Sequence, residues 1–351
     1  MDCIFLDNPE RDKMGNSLEV LKHRPHVVIL GAGASVATIP HGDKYGRKIS
    51  VMDGFIDTLG MRHILKGIKF KSENLEDIYS ELSRHQEYDE IRRKLEDTIR
   101  EYFSRFRLPD EPTIYDLLLL SLKEKDVVAT FNWDPLIIHA IQRVSIITKK
   151  IPSVLFLHGN VAIQICQKDG IAFFVPHIDT EVCRECGQIL SHCKLLYPVR
   201  QKNYSDDSYI KNQWDCIRYY LSQAYIVTFF GYSAPSTDVE AIKLLREAWG
   251  KSESRKMEEI EIIDIKDEVE LENTWKPFVY SHHRRIHSSF YDSLAAQSPR
   301  RSTEDLYACL MDVQWLDYPN RLYPGMTWDQ IKQHFAPILE EEQTSCDGGE
   351  R

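Results

Sequence analysis

VVILGAGASVATIPHG, residues 27–42, sets an apolar, β-branched run directly before a Gly-Ala-Gly-Ala-Ser turn. Such a run without polar alternation is the pattern of a strand buried on both faces of a parallel sheet. The small residues that follow let backbone amides approach a phosphate. Gly31, Ala32, Gly33, Ala34 and Ser35 are therefore candidate phosphate contacts. The competing reading is an ordinary tight strand-to-helix turn. A dinucleotide oxidoreductase fingerprint would need a third glycine where Val36 stands. Asp53 follows at the distance of a ribose-binding acid, but IPHGDKYGRKISVMD does not read as the strand that should present it. No Gly-Lys-Ser/Thr follows the turn, so a Walker loop is excluded.

Four more segments repeat the pattern: DVVATFNWD, SVLFLHGN, YIVTFFGYSAPSTD and IEIIDIKDE. Helical stretches such as PLIIHAIQRV and DVEAIKLLREAW follow two of them. Alternating strands and helices predict an α/β fold with a doubly wound parallel sheet. In such sheets ligands lie beyond the carboxyl ends of the strands. Those ends carry Gly31–Ser35, Asn132–Asp134, His158–Asn160, Gly231–Asp238 and Asp264. The expected organisation is an N-terminal arm over 1–25, a catalytic domain over 26–270 and a C-terminal assembly region over 271–351. Within the domain, a helical insertion is expected at about 61–122 and a small irregular, cysteine-containing module at about 160–207. The end, LEEEQTSCDGGER, is expected to be a disordered acidic tail.

The 351 residues carry a formal net charge of −10, which argues against direct binding of nucleic acid over a broad surface. The densest basic patch, SHHRRIHSS at 281–289, reads as a solvated loop, with contact to an acidic partner as the alternative. No run has the length of a membrane span, and the N-terminus lacks a signal-peptide pattern, so a cytoplasmic protein without membrane association is expected. Four of the eight cysteines, Cys166, Cys183, Cys186 and Cys193, fall in one short region. Cys183-x-x-Cys186-Gly resembles a zinc knuckle. Cys183, Cys186 and Cys193 are candidate ligands of a structural zinc, with Cys166, His177 or His192 as the fourth. Free thiols are the alternative.

Asp134 before Pro135 fits a helix start, with aspartate as N-cap. Asn132, a polar amide just beyond an apolar strand, is better placed to bind a ribose hydroxyl or a water. His158 ends its strand beside a glycine and is a candidate general base toward a ribose hydroxyl, against the plainer reading of a satisfied polar residue. Gly231 and Ser233 precede a capped helix and offer a second dinucleotide contact.

Taken in order, GAGAS, TFNWD, LHG, CREC, GYS and IIDIKDE resemble the sirtuin series, and more closely the sirtuin-like NAD-hydrolysing domains of bacterial antiphage defence systems. The resemblance spans about residues 26–270. It implies a Rossmann-like NAD-binding domain with a smaller module inserted. It also implies Gly31–Ser35 on the NAD phosphates, and Asn132 and Asp134 at the ribose and nicotinamide. His158 would be the base, Gly231, Tyr232 and Ser233 would lie on the adenosine side, and Asp264 near the adenine ribose. Deacylating sirtuins carry Gly-Ile-Pro and Phe-Arg after the glycine loop. Here ATIPHGDKYGRKIS shares only Ile39-Pro40, with Arg47 a stand-in for the arginine. No segment clearly builds an acyl-lysine channel. The implied activity is NAD+ glycohydrolysis, in a homo-oligomer regulated by assembly, with a HerA-type ATPase or an Argonaute-like protein as partner and a role as an antiphage effector. The alternatives are an NAD-dependent deacylase or ADP-ribosyltransferase, and a non-catalytic nucleotide-binding subunit.

Overall fold

The computed structural model describes residues 23–50, 54–68, 70, 74–175, 181–197, 204, 206–232, 239–250, 255, 257–276, 278 and 283–347. Residues 1–22 of the expected arm, His177 and Ser233 lie outside the described residues.

All five expected strands form. They are β1 (His26–Leu30), β2 (Val127–Thr130), β3 (Ser153–Phe156), β7 (Ile226–Phe230) and β8 (Glu259–Ile263). Between them β4 (Ile163–Ile165), β5 (Ala172–Phe174) and β6 (Ser191–His192) build a separate antiparallel sheet in the order β5-β4-β6. The cysteine-containing module, expected to be irregular, is thus organised around a small sheet. A ninth strand, β9 (Arg284–His287), completes the large sheet, whose order is β3-β2-β1-β7-β8-β9 with every pairing parallel. The chain winds outward from β1 through β2 to β3, then returns to the other side of β1 for β7, β8 and β9. This is the doubly wound, Rossmann-like order, with its topological switch point between β1 and β7.

β1 is buried on both faces because it is central. Val28 and Leu30 enter one core with Leu117, Leu136 and Phe335, while Val27 and Ile29 enter the other with Trp214, Leu245 and Trp275. Helices Ile114–Ser121, Leu136–Val144 and Trp328–Asp347 therefore contribute to the first core. Ser208–Gln223, Val239–Trp249 and Glu268–Trp275 contribute to the second. The expected helical insertion contains Leu75–Arg84 and Asp89–Ser104, whose Leu95, Ile99 and Phe103 at helical spacing reach the first core.

Two expectations about the C-terminal third are corrected. The basic patch is not a solvated loop: Arg284–His287 forms the edge strand β9, with Arg285 and His287 beside carboxylates of β8 and Arg284 paired with Glu272. Arg285 lies 3.4 Å from Glu259, and His287 lies 3.5 Å from Glu261. A basic strand pairs well beside an acidic one, so charge on its own does not mark solvent. The tail is helical through Asp347, with Ile331 and Phe335 fully buried. Arg300 fastens this helix. Its guanidinium donates to both carboxylate oxygens of Glu342 (2.7 and 2.6 Å) and to the carbonyls of Leu122 and Lys150. Because Arg300 is buried, Glu342→Ala is expected to cost about 2 kcal/mol by leaving an uncompensated charge. A urea-unfolding midpoint that does not fall would contradict this.

A polar thread runs through the sheet between the two cores. His26 bonds Ser302 and Thr228 through its two ring nitrogens (2.9 and 2.7 Å). Thr228 in turn donates to Glu261 (2.7 Å), which also accepts from the Leu294 amide (2.7 Å). Burial pushes Glu261 up to about 7 and His26 down to about 3. The folded state thus holds a proton on Glu261 that the unfolded chain releases. This contribution is full below about pH 4.5 and is lost as pH rises through about 7, by on the order of 3 kcal/mol. His26 acts in the opposite sense, gaining stability as pH rises from about 3 to about 6.5. Glu261→Gln copies the protonated carboxyl: it keeps the Leu294 bond and donates to Thr228, whose hydroxyl then serves His26. The variant is expected to melt higher than the parent at pH 8 and close to it at pH 4.5. An equal difference at both pH values would contradict a buried, protonatable Glu261.

Candidate functional site

The glycines of the opening stretch meet another turn. The Gly31 amide donates to the Phe230 carbonyl and the Gly33 amide to the Gly231 carbonyl, both at 2.9 Å. A Cβ on Gly33 would sit 2.8 Å from the Gly231 Cα, and one on Gly31 only 2.5 Å from the Gly231 carbonyl oxygen. The turns after β1 and β7, at the switch point, are therefore packed backbone against backbone. The amides of Gly33 and Ala34 already have carbonyl partners, Gly231 and Gly31. Val36 is 39% exposed on the short helix Ala32–Thr38, so close packing does not require a glycine at that position.

Ser35 lies at the centre of a side-chain network. Its hydroxyl donates to the Asp134 carboxylate (2.7 Å) and accepts from the Tyr115 hydroxyl (2.9 Å) and the Asn132 amide (2.9 Å). One donor and two lone pairs are thereby all used. The Asn132 amide also donates to the Gly31 carbonyl at 2.8 Å, tying the end of β2 to the glycine turn. Asp134 is buried, and burial raises its carboxyl above the ordinary aspartate range against the bonds from Ser35 and the Leu136 amide. That second bond reaches the first residue of the helix Leu136–Val144, whose N-cap is Pro135 and not, as expected, Asp134, so Asp134 serves both the helix start and the network. Asn160 joins from β3 by donating to the Asp134 carbonyl at 2.6 Å.

His158 is buried at the end of β3, its ring edge-on to Phe131 with centroids 4.7 Å apart. Tyr232 stacks on the same Phe131 at 4.5 Å, so Phe131 links the β3 and β7 ends. Gly159 turns the backbone beside His158 with φ +76°, and a Cβ there would lie 2.1 Å from the Lys194 carbonyl oxygen. Asp264, at the end of β8, accepts from the Lys266 amide and so closes its own turn. Ser35, Asn132 and Asp134 thus touch one another, Gly31 and Gly33 touch Gly231, and His158 and Tyr232 share Phe131. Tyr115 and Asn160 are the members that sequence reading missed. Asn160 was visible beside a strand end, whereas nothing in PTIYDLLLL singles out a tyrosine that meets Ser35, 80 residues away.

The cysteine module holds a separate candidate metal centre. Cys166, Asp169, Cys183 and Cys186 place one ligand atom each within 4.8 Å of one another. Two turns of the same design supply them: Cys166-x-x-Asp169-Gly170 and Cys183-x-x-Cys186-Gly187. In each, the glycine amide donates to the first cysteine's carbonyl, at 2.9 and 2.8 Å, and the glycine φ is near +70°. The Cys166 and Cys186 sulfurs are 3.5 Å apart, and Asp169 lies 3.2 and 3.3 Å from the sulfurs of Cys166 and Cys183. Ligands about 2.3 Å from a tetrahedral zinc sit about 3.8 Å apart, so the set fits a closed structural ion. The Asp169 carboxylate pushes the Cys186 thiol up to about 12, the crowding of negative donors that a dication relieves. Cys193, expected among the ligands, lies outside the group: it is buried and bonds the Lys194 carbonyl. His192 lies on β6 outside the group as well. The sequence signal for Asp169 was the match of CQKDG to CRECG.

No protein-family model matches the chain, and no curated protein sequence matches it. Among solved structures it is similar to a Sir2 homolog in complex with NAD, at 15% identity over 84% of this chain and 93% of that one, with a TM-score of 0.43. A structure on sirtuin substrate affinity gives 18% identity, coverage of 87% and 100%, and a TM-score of 0.40. A Sir2 bound to an acetylated peptide gives 16%, 86% and 99%, and 0.38. These values are too low to argue from, and the fold class rests on the strand order above.

Proposed function

We propose that the protein binds NAD+ at the switch point between β1 and β7 and hydrolyses it to nicotinamide and ADP-ribose. The observation that carries this reading is the strand order. It gathers the glycine turn, Asn132, Asp134 and His158 at the edge where doubly wound sheets hold dinucleotides. In the reaction the C1′–N bond to nicotinamide breaks, and its electron pair neutralises the pyridinium. A water oxygen bonds to C1′, and one proton leaves. Because the leaving group is already activated, catalysis depends on orienting the ribose and stabilising an oxocarbenium-like transition state. Asn132, fixed by Gly31 and Ser35, positions the ribose or the water. His158 takes the proton, and Asp134 holds the network rigid. Zinc in the cysteine module would have a structural role only.

Plain hydrolysis is preferred to deacylation because the loop after Ser35 lacks most of the deacylase pattern. Unrestrained cleavage of NAD+ would harm a cell, so activation through assembly, as a homo-oligomer or with an ATPase or Argonaute-like partner, belongs to this reading, as does a defence role. The test is incubation with NAD+ with and without an acetyl-lysine peptide. Nicotinamide and ADP-ribose released equally in both support hydrolysis. Nicotinamide released only with peptide, together with O-acetyl-ADP-ribose, would replace it with deacylation.

A further inference from the structure

A cavity of about 560 Å³ shares no lining residue with the Ser35 network. It lies among the loop carrying Lys44 and Tyr45, the loop 107–110, the far part of the helix Leu136–Val144 and the start of the helix Trp328–Asp347. Its lining holds four cations, Lys44, Arg107, Arg143 and Lys332, and one carboxylate, Asp110. In a chain of net charge −10 such a local excess is unusual.

Three of the four cations are held in place. Arg107 donates to the Ser104 and Phe106 carbonyls. Arg143 donates to the Pro109 and Glu111 carbonyls, pairs with buried Asp116 at 3.0 Å and lies over the Trp328 ring at 4.6 Å. Lys44 pairs with Asp110 at 2.7 Å, an exposed contact that a stronger anion can replace. His139 also lines the cavity, with its Nδ1 buried and without a hydrogen-bond partner among the described residues. Burial, with Arg107 and Arg143 close by, pushes this imidazole down to about 4, so it is neutral and can donate one hydrogen bond. Cations set beside the Trp328 and Tyr45 rings match a phosphate carried on an organic body. The volume falls in the range of small-molecule sites.

We propose that this cavity binds a phosphate-bearing small molecule of nucleotide size, separately from the site at the switch point. The test uses the full chain and N-methylanthraniloyl-ADP as fluorescent probe, at low ionic strength. Lys44→Glu combined with Lys332→Glu, both exposed positions, is expected to retain the parent's circular dichroism and bind the probe at least about tenfold more weakly. Excess inorganic phosphate is expected to displace the probe, and photolabelling with 8-azido-ADP is expected to mark peptides containing Tyr45 or Trp328. Equal affinity in parent and variant, a probe that phosphate does not displace, or labelling confined to the peptide carrying Gly31–Ser35 would overturn the proposal. None of these readouts requires NAD+ turnover, so the assignment stands or falls apart from the proposed hydrolysis.

Discussion

Asn132→Ala is expected to lower nicotinamide release at least about 100-fold while the protein still folds. The side chain is half-buried and fastens the glycine turn to the end of β2, through Gly31 at 2.8 Å and Ser35 at 2.9 Å. Truncation removes both bonds, which unties the glycine turn from the end of β2 and leaves Ser35 bonded to Asp134 and Tyr115 only. A misplacement of about 1 Å in an oriented site costs on the order of 100-fold in rate. The lost hydrogen bonds cost about 1–2 kcal/mol of stability, which a domain of this size tolerates. His158→Ala should lose turnover to a similar degree, and its rate should not recover as pH is raised. Steady-state nicotinamide release, with circular dichroism as the fold control, checks both. Undiminished turnover in the two variants would remove these residues from the mechanism.

Gly231→Ala is the substitution expected to cost the most stability. Gly231 has φ +58°, in the left-handed region that β-carbon-bearing residues avoid. A Cβ there would lie 2.2 Å from the Ala34 amide nitrogen and 2.4 Å from the Gly33 carbonyl carbon. Those atoms are backbone on the first helix after β1, so no side chain can move aside. The two central turns would have to separate, breaking the Gly33-to-Gly231 bond. The expected cost is more than about 4 kcal/mol, seen as a thermal midpoint lower by roughly ten degrees or more. A variant with an unchanged midpoint would show that the turns are not packed as described.

The parallel sheet was legible because each central strand is a short apolar run closed by glycine or a polar residue. β9 was not legible, since RRIH lacks that pattern and takes its place by parallel pairing with β8, Arg285 beside Glu259 and His287 beside Glu261. The final helix was hidden for a related reason. LEEEQTSCD is polar, and Arg300 fixes it through Glu342 from 42 residues away. At the site, residues at strand ends were visible because topology alone carries them to one edge. Gly231 stood out as a strand-end glycine, but its packing against Gly31 and Gly33 explains the glycines differently: they serve the contact between two turns as well as any ligand. Tyr115, on an apolar helix, was invisible without the tertiary contact to Ser35. In the metal module, spacing found Cys183 and Cys186. It misassigned Cys193 because the fourth donor is a carboxylate in a turn of the same design.

The measurement that bears most directly on the central claim is mass spectrometry of the products formed from NAD+ in water enriched in oxygen-18. Hydrolysis at the switch point predicts nicotinamide and ADP-ribose in equal amounts, with a single heavy oxygen in each ADP-ribose, because water adds to C1′. NAD+ left intact by the fully assembled protein, or nicotinamide released without labelled ADP-ribose, would contradict it.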